Sequence, residues 1–326
     1  GEKMISVIIV DYKTAERCVK YINDFCRTSD DKDVSFVVVD NTPNEENGNV
    51  ISENLLKLGF AQSENYNLHD MKFKHMRTFN RNGITVVYVS DEDNRGFAFA
   101  NNLGAKVAKN IFAPEYLLFS NSDIQLPEVF ELSILKKDLE DRKDVAMIGP
   151  KVVGLNEKDQ SPGKYMSIYK RHIIPNLLWP MHKAIPKLKQ INYDVLNDAQ
   201  DGEVYRIIGA FMLAKEKPFF EVDGFDEHTF LYAEEPILTE RFRKKGYKVW
   251  YTNKVKIIHE QGISTTDRTK TGIENLLVKR KRVFDSEMYY YEKYRNCSKL
   301  DILLAKWMFQ FYILKLRTLS FIIKVK

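Results

Sequence analysis

The 326-residue chain has 50 Lys+Arg, 45 Asp+Glu and 6 His, a formal charge of +5, with 44% hydrophobic and 12% aromatic residues. That apolar content supports a core and excludes disorder, and the length allows one large domain with an appendage or two modest domains. Three cysteines, Cys18, Cys26 and Cys297, exclude a disulfide scaffold; none pairs at zinc-finger or CxxC spacing, so reduced thiols in a cytosolic protein are expected.

Gly1-Glu2-Lys3-Met4 leads straight into an apolar run, which reads as a strand and not as a secretory leader. Ile5 to Val10 predicts a buried strand ending at Asp11, and Thr14 to Phe25 has the spacing of a helix. Val34 to Val39 predicts a second strand, stopped by Asp40-Asn41-Thr42-Pro43. Residues 44–82 read as polar and irregular, with a weak helix near Leu55 to Leu58. Ile84 to Val89 predicts a third strand, Gly96 to Lys109 a helix, Tyr116 to Phe119 a fourth strand, and Pro127 to Leu139 a helix with proline in its first turn. Val145 to Ile148 closes this half. Residues 152–203 read as a long irregular segment. Arg206 to Ala214 is a strand candidate, Glu234 to Lys245 a helix stopped by Gly246, and Tyr247 to Tyr251 and Val255 to His259 two further strands.

Continuous apolar strands alternating with helices imply an α/β fold with a mostly parallel sheet covered on both faces. Ligands of such sheets bind beyond the carboxyl ends of the strands. Asp11, Asp40-Asn41, Ser90-Asp91 and Ser120-Asn121-Ser122-Asp123 stand there. A carboxylate at such an end can hold Mg²⁺ or Mn²⁺ against a diphosphate, although Asn, Ser and Asp are also common turn residues. Asn94-Arg95-Gly96 opens a helix followed by Asn101-Asn102, and a helix N-terminus beside an arginine favours anions. Glu234-Glu235 at a helix start can supply a general base. His259 is a metal-ligand candidate or a satisfied histidine.

From Arg268 to Lys326 there are 14 Lys+Arg against 5 Asp+Glu, so a slightly acidic body carries a basic tail. The tail suits an anionic surface, and its aromatic stretch Trp307 to Tyr312 favours membrane over nucleic acid. On a helical wheel Lys299, Lys306, Gln310, Arg317 and Lys324 form one stripe, with Leu303, Leu304, Trp307, Met308, Phe311, Leu314, Phe321 and Ile322 across much of the rest and Lys315 as an outlier. That pattern suits a helix in a membrane interface over residues 299–324, and the charges inside the run argue against a span. The other reading is a helix packed on the body or on a second subunit, which leaves a homo-oligomer open.

The order of these motifs is more specific than any one of them. Val39-Asp40-Asn41, Asn94-x-Gly96-Phe97 and Asn121-x-Asp123 resemble family 2 glycosyltransferases of the GT-A fold. So do Gly209-Ala210-Phe211, Gly224-Phe225-Asp226-Glu227, Phe230-Leu231-Tyr232-x-Glu234-Glu235, Leu238-x-x-Arg241, Gly246-Tyr247 and His259-x-x-Gly262-x-Ser264. The pattern is most similar to the bacterial rhamnosyltransferase-like branch, which builds cell-surface polysaccharides.

The resemblance runs roughly from Met4 to Ser264 and implies a Rossmann-like GT-A domain over residues 4–265, with donor and acceptor halves dividing near 150; the residue pattern adds the basic amphipathic helical tail over 266–326. It implies a nucleotide-diphosphate-sugar donor such as dTDP-rhamnose or a UDP-sugar, a divalent cation (Mn²⁺ or Mg²⁺), a polysaccharide or lipid-linked saccharide acceptor, and inversion at the anomeric carbon. By position, Asp40 would contact the donor base with Asp11 and Asn41 nearby, and Asn94, Arg95, Gly96, Asn102, Asn121 and Ser122 would line the donor. Asp123 is the last acid of an Asp-x-Asp motif whose first acid is here Asn121. Asp123 would bind the metal, approached by His259. Glu235 stands where the family has its catalytic Asp, with Glu234 as its rival. Trp179, Asp226 and Tyr232 would lie on the acceptor side, with 160–201 closing over the ligands. The implied location is the inner face of the cell membrane, without nucleic acid. A nucleotidyltransferase would need glycine after the first strand, where Asp11-Tyr12-Lys13-Thr14 has none, and a non-catalytic binding partner would not need Asp123, Glu234-Glu235 and His259.

Overall fold

In a computed structural model, which describes residues 4–68, 71–91, 93–178, 193–260 and 272–324, β1 (Ile5–Asp11) and β2 (Val34–Asp40) lie side by side in parallel. Their β-branched runs are buried on both faces, as a sheet layered between helices requires. The remaining elements of this part are α1 (Ala15–Thr28), α2 (Glu46–Lys57), β3 (Ala61–Ser63), β4 (His75–Arg81), β5 (Ile84–Ser90), α3 (Phe97–Phe112), β6 (Tyr116–Ser120), β7 (Ile124–Gln125), α4 (Leu132–Glu140) and β8 (Val145–Val153). After them come α5 (Ile174–Leu177), β9 (Gly202–Val204), β10 (Phe211–Lys215), α6 (Glu216–Glu221), α7 (Glu234–Lys244), β11 (Lys248–His259), α8 (Gly272–Tyr294) and α9 (Lys299–Lys324).

The strands form one sheet in the order β3-β4-β5-β2-β1-β6-β10-β8-β11-β7, with β9 paired to β11. β5, β2, β1 and β6 are mutually parallel, and antiparallel strands flank that core at β4 and β10. Alternate side chains feed two cores. Ile5, Val7 and Ile9 meet Val19, Ile22 and Phe25 of α1, Ile51 and Leu55 of α2 and Leu135 of α4. Ile8, Val37 and Val39 meet Ala100 and Leu103 of α3, Phe219 of α6 and Leu238 of α7. Phe25 meets Phe36 and Phe130 edge-on, with centroids 5.5 and 5.6 Å apart, so truncating it to alanine would cost ~3–5 kcal/mol.

Several elements depart from the sequence expectations. The stretch 44–82 holds a twelve-residue helix and the strand β4, not an irregular segment. Asn82 and Gly83 both take positive φ (51° and 83°) and close the β4–β5 hairpin. Asn-Gly between two strands is a strong hairpin signal. Pro127 lies before α4, which starts only at Leu132. The strand expected from Arg206 starts at Phe211, and α6 follows it directly. The two strands expected at 247–259 are one strand, β11, with a register shift between Tyr251 and Lys256 that explains the break in its pattern.

The chain divides into two compact units. Gly1–Gly163, Leu196–Phe230 and Glu234–Thr265 form the sheet unit; Lys164–Val195, Leu231–Ala233 and Thr266–Lys326 form the second. The basic tail comprises two helices, and α9 spans the stretch 299–324 expected to be helical. α8 buries Phe284, Met288, Tyr290, Tyr291 and Tyr294, and Phe284 stacks on Phe309 of α9 at 4.1 Å. A π-helical turn at Tyr169–Ile173 supplies Arg171 and His172, both of which bind the Glu287 carboxylate. Within this unit α8 and one face of α9 pack against each other.

Candidate functional site

The parallel strands end together, with Asp11 opposite Asp40 and Asp40 opposite Ser90. Asp11 is fully buried at the β1–α1 turn. Its carboxylate accepts bonds from the Thr14 amide (3.2 Å), the Thr14 hydroxyl and Asn47 Nδ2 (2.7 Å). Burial pushes its pKa up, opposed by those bonds and reinforced by the Asp40 charge. Asp11 thus braces the turn beneath the site. Asp40 is equally buried; Oδ1 accepts the Thr42 amide at 2.9 Å and Oδ2 the Tyr88 hydroxyl at 3.0 Å. Burial, then the Asp40 charge, pushes the Tyr88 hydroxyl upward, which keeps it a donor. Asn41 joins the strand ends, its amide N–H donating to the Asp11 carbonyl and its side chain reaching the Gly96 carbonyl at 3.4 Å.

Gly96, the N-cap of α3, has φ +94°, and a Cβ there would stand 2.4 Å from the Phe230 carbonyl oxygen. Only glycine permits that approach. Asn94 Oδ1 accepts the Gly96 amide at 3.1 Å, and the next amide, Phe97, donates to Phe230 at 2.9 Å. Arg95 is about half exposed, pairs with Asp91 at 3.6 Å and covers the Phe99 ring. Asn102, expected to line the donor, is a clamp on the following loop. Its side chain binds Phe225 through both backbone groups, each at 2.9 Å, and Glu227 Oε1 at 2.9 Å. Gly224 closes that loop with φ +61°.

Beyond β6, Asn121 and Ser122 are half-buried and Asp123 is buried. The Asn121 amide donates to the Ala210 carbonyl at 2.9 Å. Asp123 Oδ1 is shielded from solvent, accepts no hydrogen bond among the described residues, and faces His259 Nε2 at 3.3 Å. Gln160 grips His259 from behind: its Nε2 donates to the His259 carbonyl at 3.2 Å, which leaves Oε1 to accept from Nδ1–H at 2.8 Å. In the neutral ring that arrangement turns the Nε2 lone pair toward Asp123. Two lone pairs facing each other at this distance accommodate a cation, and a ring N–H held by an amide oxygen is the usual arrangement behind a metal-ligating histidine. The pair fits a divalent ion completed by ligands from outside the chain. Among the described residues, no cluster of three or more His, Cys, Asp or Glu side chains could hold one alone.

Glu234 and Glu235 open α7, where carboxylates suit the helix dipole. Glu234 is buried; Glu235 is half-buried, and its Oε1 accepts the Gly209 amide at 2.8 Å. Asp226, expected on the acceptor side, is only 3% exposed and pairs with Arg241 at 3.3 Å and with His228 at 2.7 Å. Arg241 also donates to the Val222, Asp223 and Gly224 carbonyls, so Asp226 belongs to the scaffold of this loop. Tyr232 and Ala233 take left-handed φ (77° and 67°) just before α7, a conformation that costs non-glycine residues ~1–3 kcal/mol each. Trp179, Gly262 and Ser264 lie outside the described residues.

Sequence reasoning missed Gln160, Asn47 and Tyr88 as holders of His259, Asp11 and Asp40. It also missed Glu260, bound by Arg17 and by Gln125 Nε2 (2.5 Å). No local motif marks them, because each acts on a residue at least 36 positions away.

No family model matches the sequence, and no curated protein matches it. Among solved structures the chain is similar to a mannosyltransferase, PcManGT, from Pyrobaculum calidifontis, in complex with GDP-Man and Mn²⁺. The likeness has a TM-score of 0.52 and 12% identity, over 94% of this chain and 70% of that chain. The chain has a glycosyltransferase fold. The mixed sheet with a parallel core, the helices on both faces and the C-terminal helical part agree with the GT-A, Rossmann-like architecture that the motif order implied.

Proposed function

We propose that the chain is an inverting glycosyltransferase, akin to the rhamnosyltransferase-like branch of family 2. It would move a sugar from a nucleotide-diphosphate donor to a hydroxyl of a cell-surface polysaccharide or lipid-linked saccharide. The observation that carries this reading is the meeting of two carboxylate-bearing segments at Gly209-Ala210. The Asn121-x-Asp123 turn hangs on the Ala210 carbonyl and Glu235 on the Gly209 amide, so a candidate metal acid and a candidate base are braced on adjacent residues. Donors to be considered are dTDP-rhamnose, UDP-sugars and, given the ligand of the mannosyltransferase, GDP-sugars.

In this reading the donor base meets the Asp40-Asn41 edge, and the diphosphate meets Asn94, Arg95, Gly96, Asn121 and Ser122. Asp123 and His259 would hold the divalent cation, which supplies charge neutralisation at the leaving diphosphate when bound. Glu235 takes the proton of the acceptor hydroxyl as its oxygen attacks the anomeric carbon. The bond to the diphosphate oxygen breaks on the opposite face, and the configuration inverts. The Gly209 amide fixes one carboxylate oxygen and so the direction of the other. Burial disfavours Glu234 for contact with an acceptor. The enzyme would work at the inner face of the cell membrane. Glu235→Gln should lower transfer by ~10²–10⁴-fold, the usual worth of a general base, while nucleotide binding by calorimetry is unchanged. Undiminished turnover in that variant would move the base to Glu234.

A further inference from the structure

The wheel of α9 is divided cleanly. Ile302 and Ala305 are buried, Phe309 is stacked on Phe284, and Tyr312, Ile313 and Leu316 are half-buried, so one face is occupied within its own unit. The other face carries Leu300 (76% exposed), Leu303, Leu304, Trp307 (69%), Phe311 and Leu314 (62%). At ~100° per residue these six occupy one arc ~100° wide, running ~20 Å along the axis. Single exposed apolar side chains are ordinary, but a continuous strip holding a tryptophan and a phenylalanine is an interaction surface.

Charge identifies what the strip meets. Lys299, Lys306 and Arg317 are exposed along one edge of it. Asp301, the one acid between 299 and 318, is turned away, half-buried and bound by the Tyr169 hydroxyl and the Ser298 amide and hydroxyl. The free arc therefore holds cations without carboxylates. A second copy of the same face would set like charges together, whereas an anionic surface neutralises them. Among the described residues no helix is long and apolar enough to cross a membrane.

We infer that the outer face of α9 lies in an anionic lipid interface, with the Leu300–Leu314 strip inserted and Lys299, Lys306 and Arg317 at the headgroups. This gives the membrane location proposed above its contact surface, but it rests on α9 alone and needs no sugar-transfer chemistry.

The test is flotation of the full chain, without nucleotide, on phosphatidylcholine vesicles with and without phosphatidylglycerol. The chain should bind the anionic vesicles, and added salt should release it. Removing Lys306 and Arg317 together, as Lys306→Ser with Arg317→Ser, should weaken binding roughly 25-fold, at ~fivefold per cation. Trp307→Ser should weaken it further. These side chains are exposed, so the melting temperatures should match the wild type. Equal binding to neutral vesicles, or none by the folded chain, would overturn the inference. So would a dimer in sedimentation that Trp307→Ser dissolves without any vesicle binding, which would make α9 a contact between copies. Donor binding is measured separately, so failure here leaves the transfer proposal standing.

Discussion

Replacing Glu287 tests whether the second unit is held by a buried ion cluster. Its Oε1 accepts Arg171 Nε at 2.9 Å and Nη2 at 2.8 Å, and its Oε2 lies 2.9 Å from His172 Nε2. Burial would raise the carboxyl, but Arg171 and then His172 overcome it and hold the pKa down to about 2, from 4.5. A depressed acid stabilises the fold above its unfolded pKa and loses that stabilisation as pH falls toward its folded one. The shift of ~2.5 units is worth ~3 kcal/mol at neutral pH. Glu287→Gln should therefore cost ~3 kcal/mol at pH 7, by urea denaturation followed by circular dichroism. The gap between wild type and variant should stay constant down to about pH 5. It should narrow by ~1.4 kcal/mol at pH 3.5, where the wild type has begun to lose its charge advantage. A variant as stable as wild type at pH 7, or a gap that does not narrow below pH 4.5, would refute the reasoning.

Three further substitutions probe the sheet unit. In Gly209→Ala the new Cβ would stand 2.8 Å from Glu235 Oε1. A shift of ~0.6 Å relieves it, so turnover should fall about tenfold with little change in melting temperature, and unchanged turnover would dissociate Gly209 from the base. In Gly48→Ala the Cβ would stand 2.2 Å from the Tyr88 hydroxyl, which binds Asp40. Stability should fall by ~1–3 kcal/mol and nucleotide affinity with it, and wild-type affinity would separate Asp40 from the donor. Asp123→Asn should abolish any Mn²⁺ dependence of nucleotide binding while the fold persists; retained dependence would locate the metal elsewhere.

The strands that carry the site were legible because continuous β-branched runs such as Ile5–Val10 and Val34–Val39 have no other use. Their carboxyl ends followed from topology, and so did the segment 120–123. The Asn82-Gly83 hairpin signal stands in the sequence, but the strand before it, His75–Arg81, has five polar residues among seven and so the whole stretch 44–82 reads as irregular. The tail's pattern disclosed a helix with apolar and basic faces. It did not disclose that one apolar face of α9 is taken up by packing within its own unit, because packing partners are long-range. The same limit hid Gln160 behind His259. It also hid the internal tasks of Asn102 and Asp226, whose family positions suggest ligands while their bonds run to loop and helix neighbours.

The central claim, a metal-assisted nucleotide-diphosphate site at the ends of β1, β2 and β6, is tested most directly by thermal shifts with UDP, dTDP and GDP, each with and without Mn²⁺. A ligand present at 100 times its Kd should add ~2.7 kcal/mol, a rise of roughly 5 °C, for one nucleotide and more strongly with Mn²⁺. No rise with any of the three, in either condition, would contradict the account.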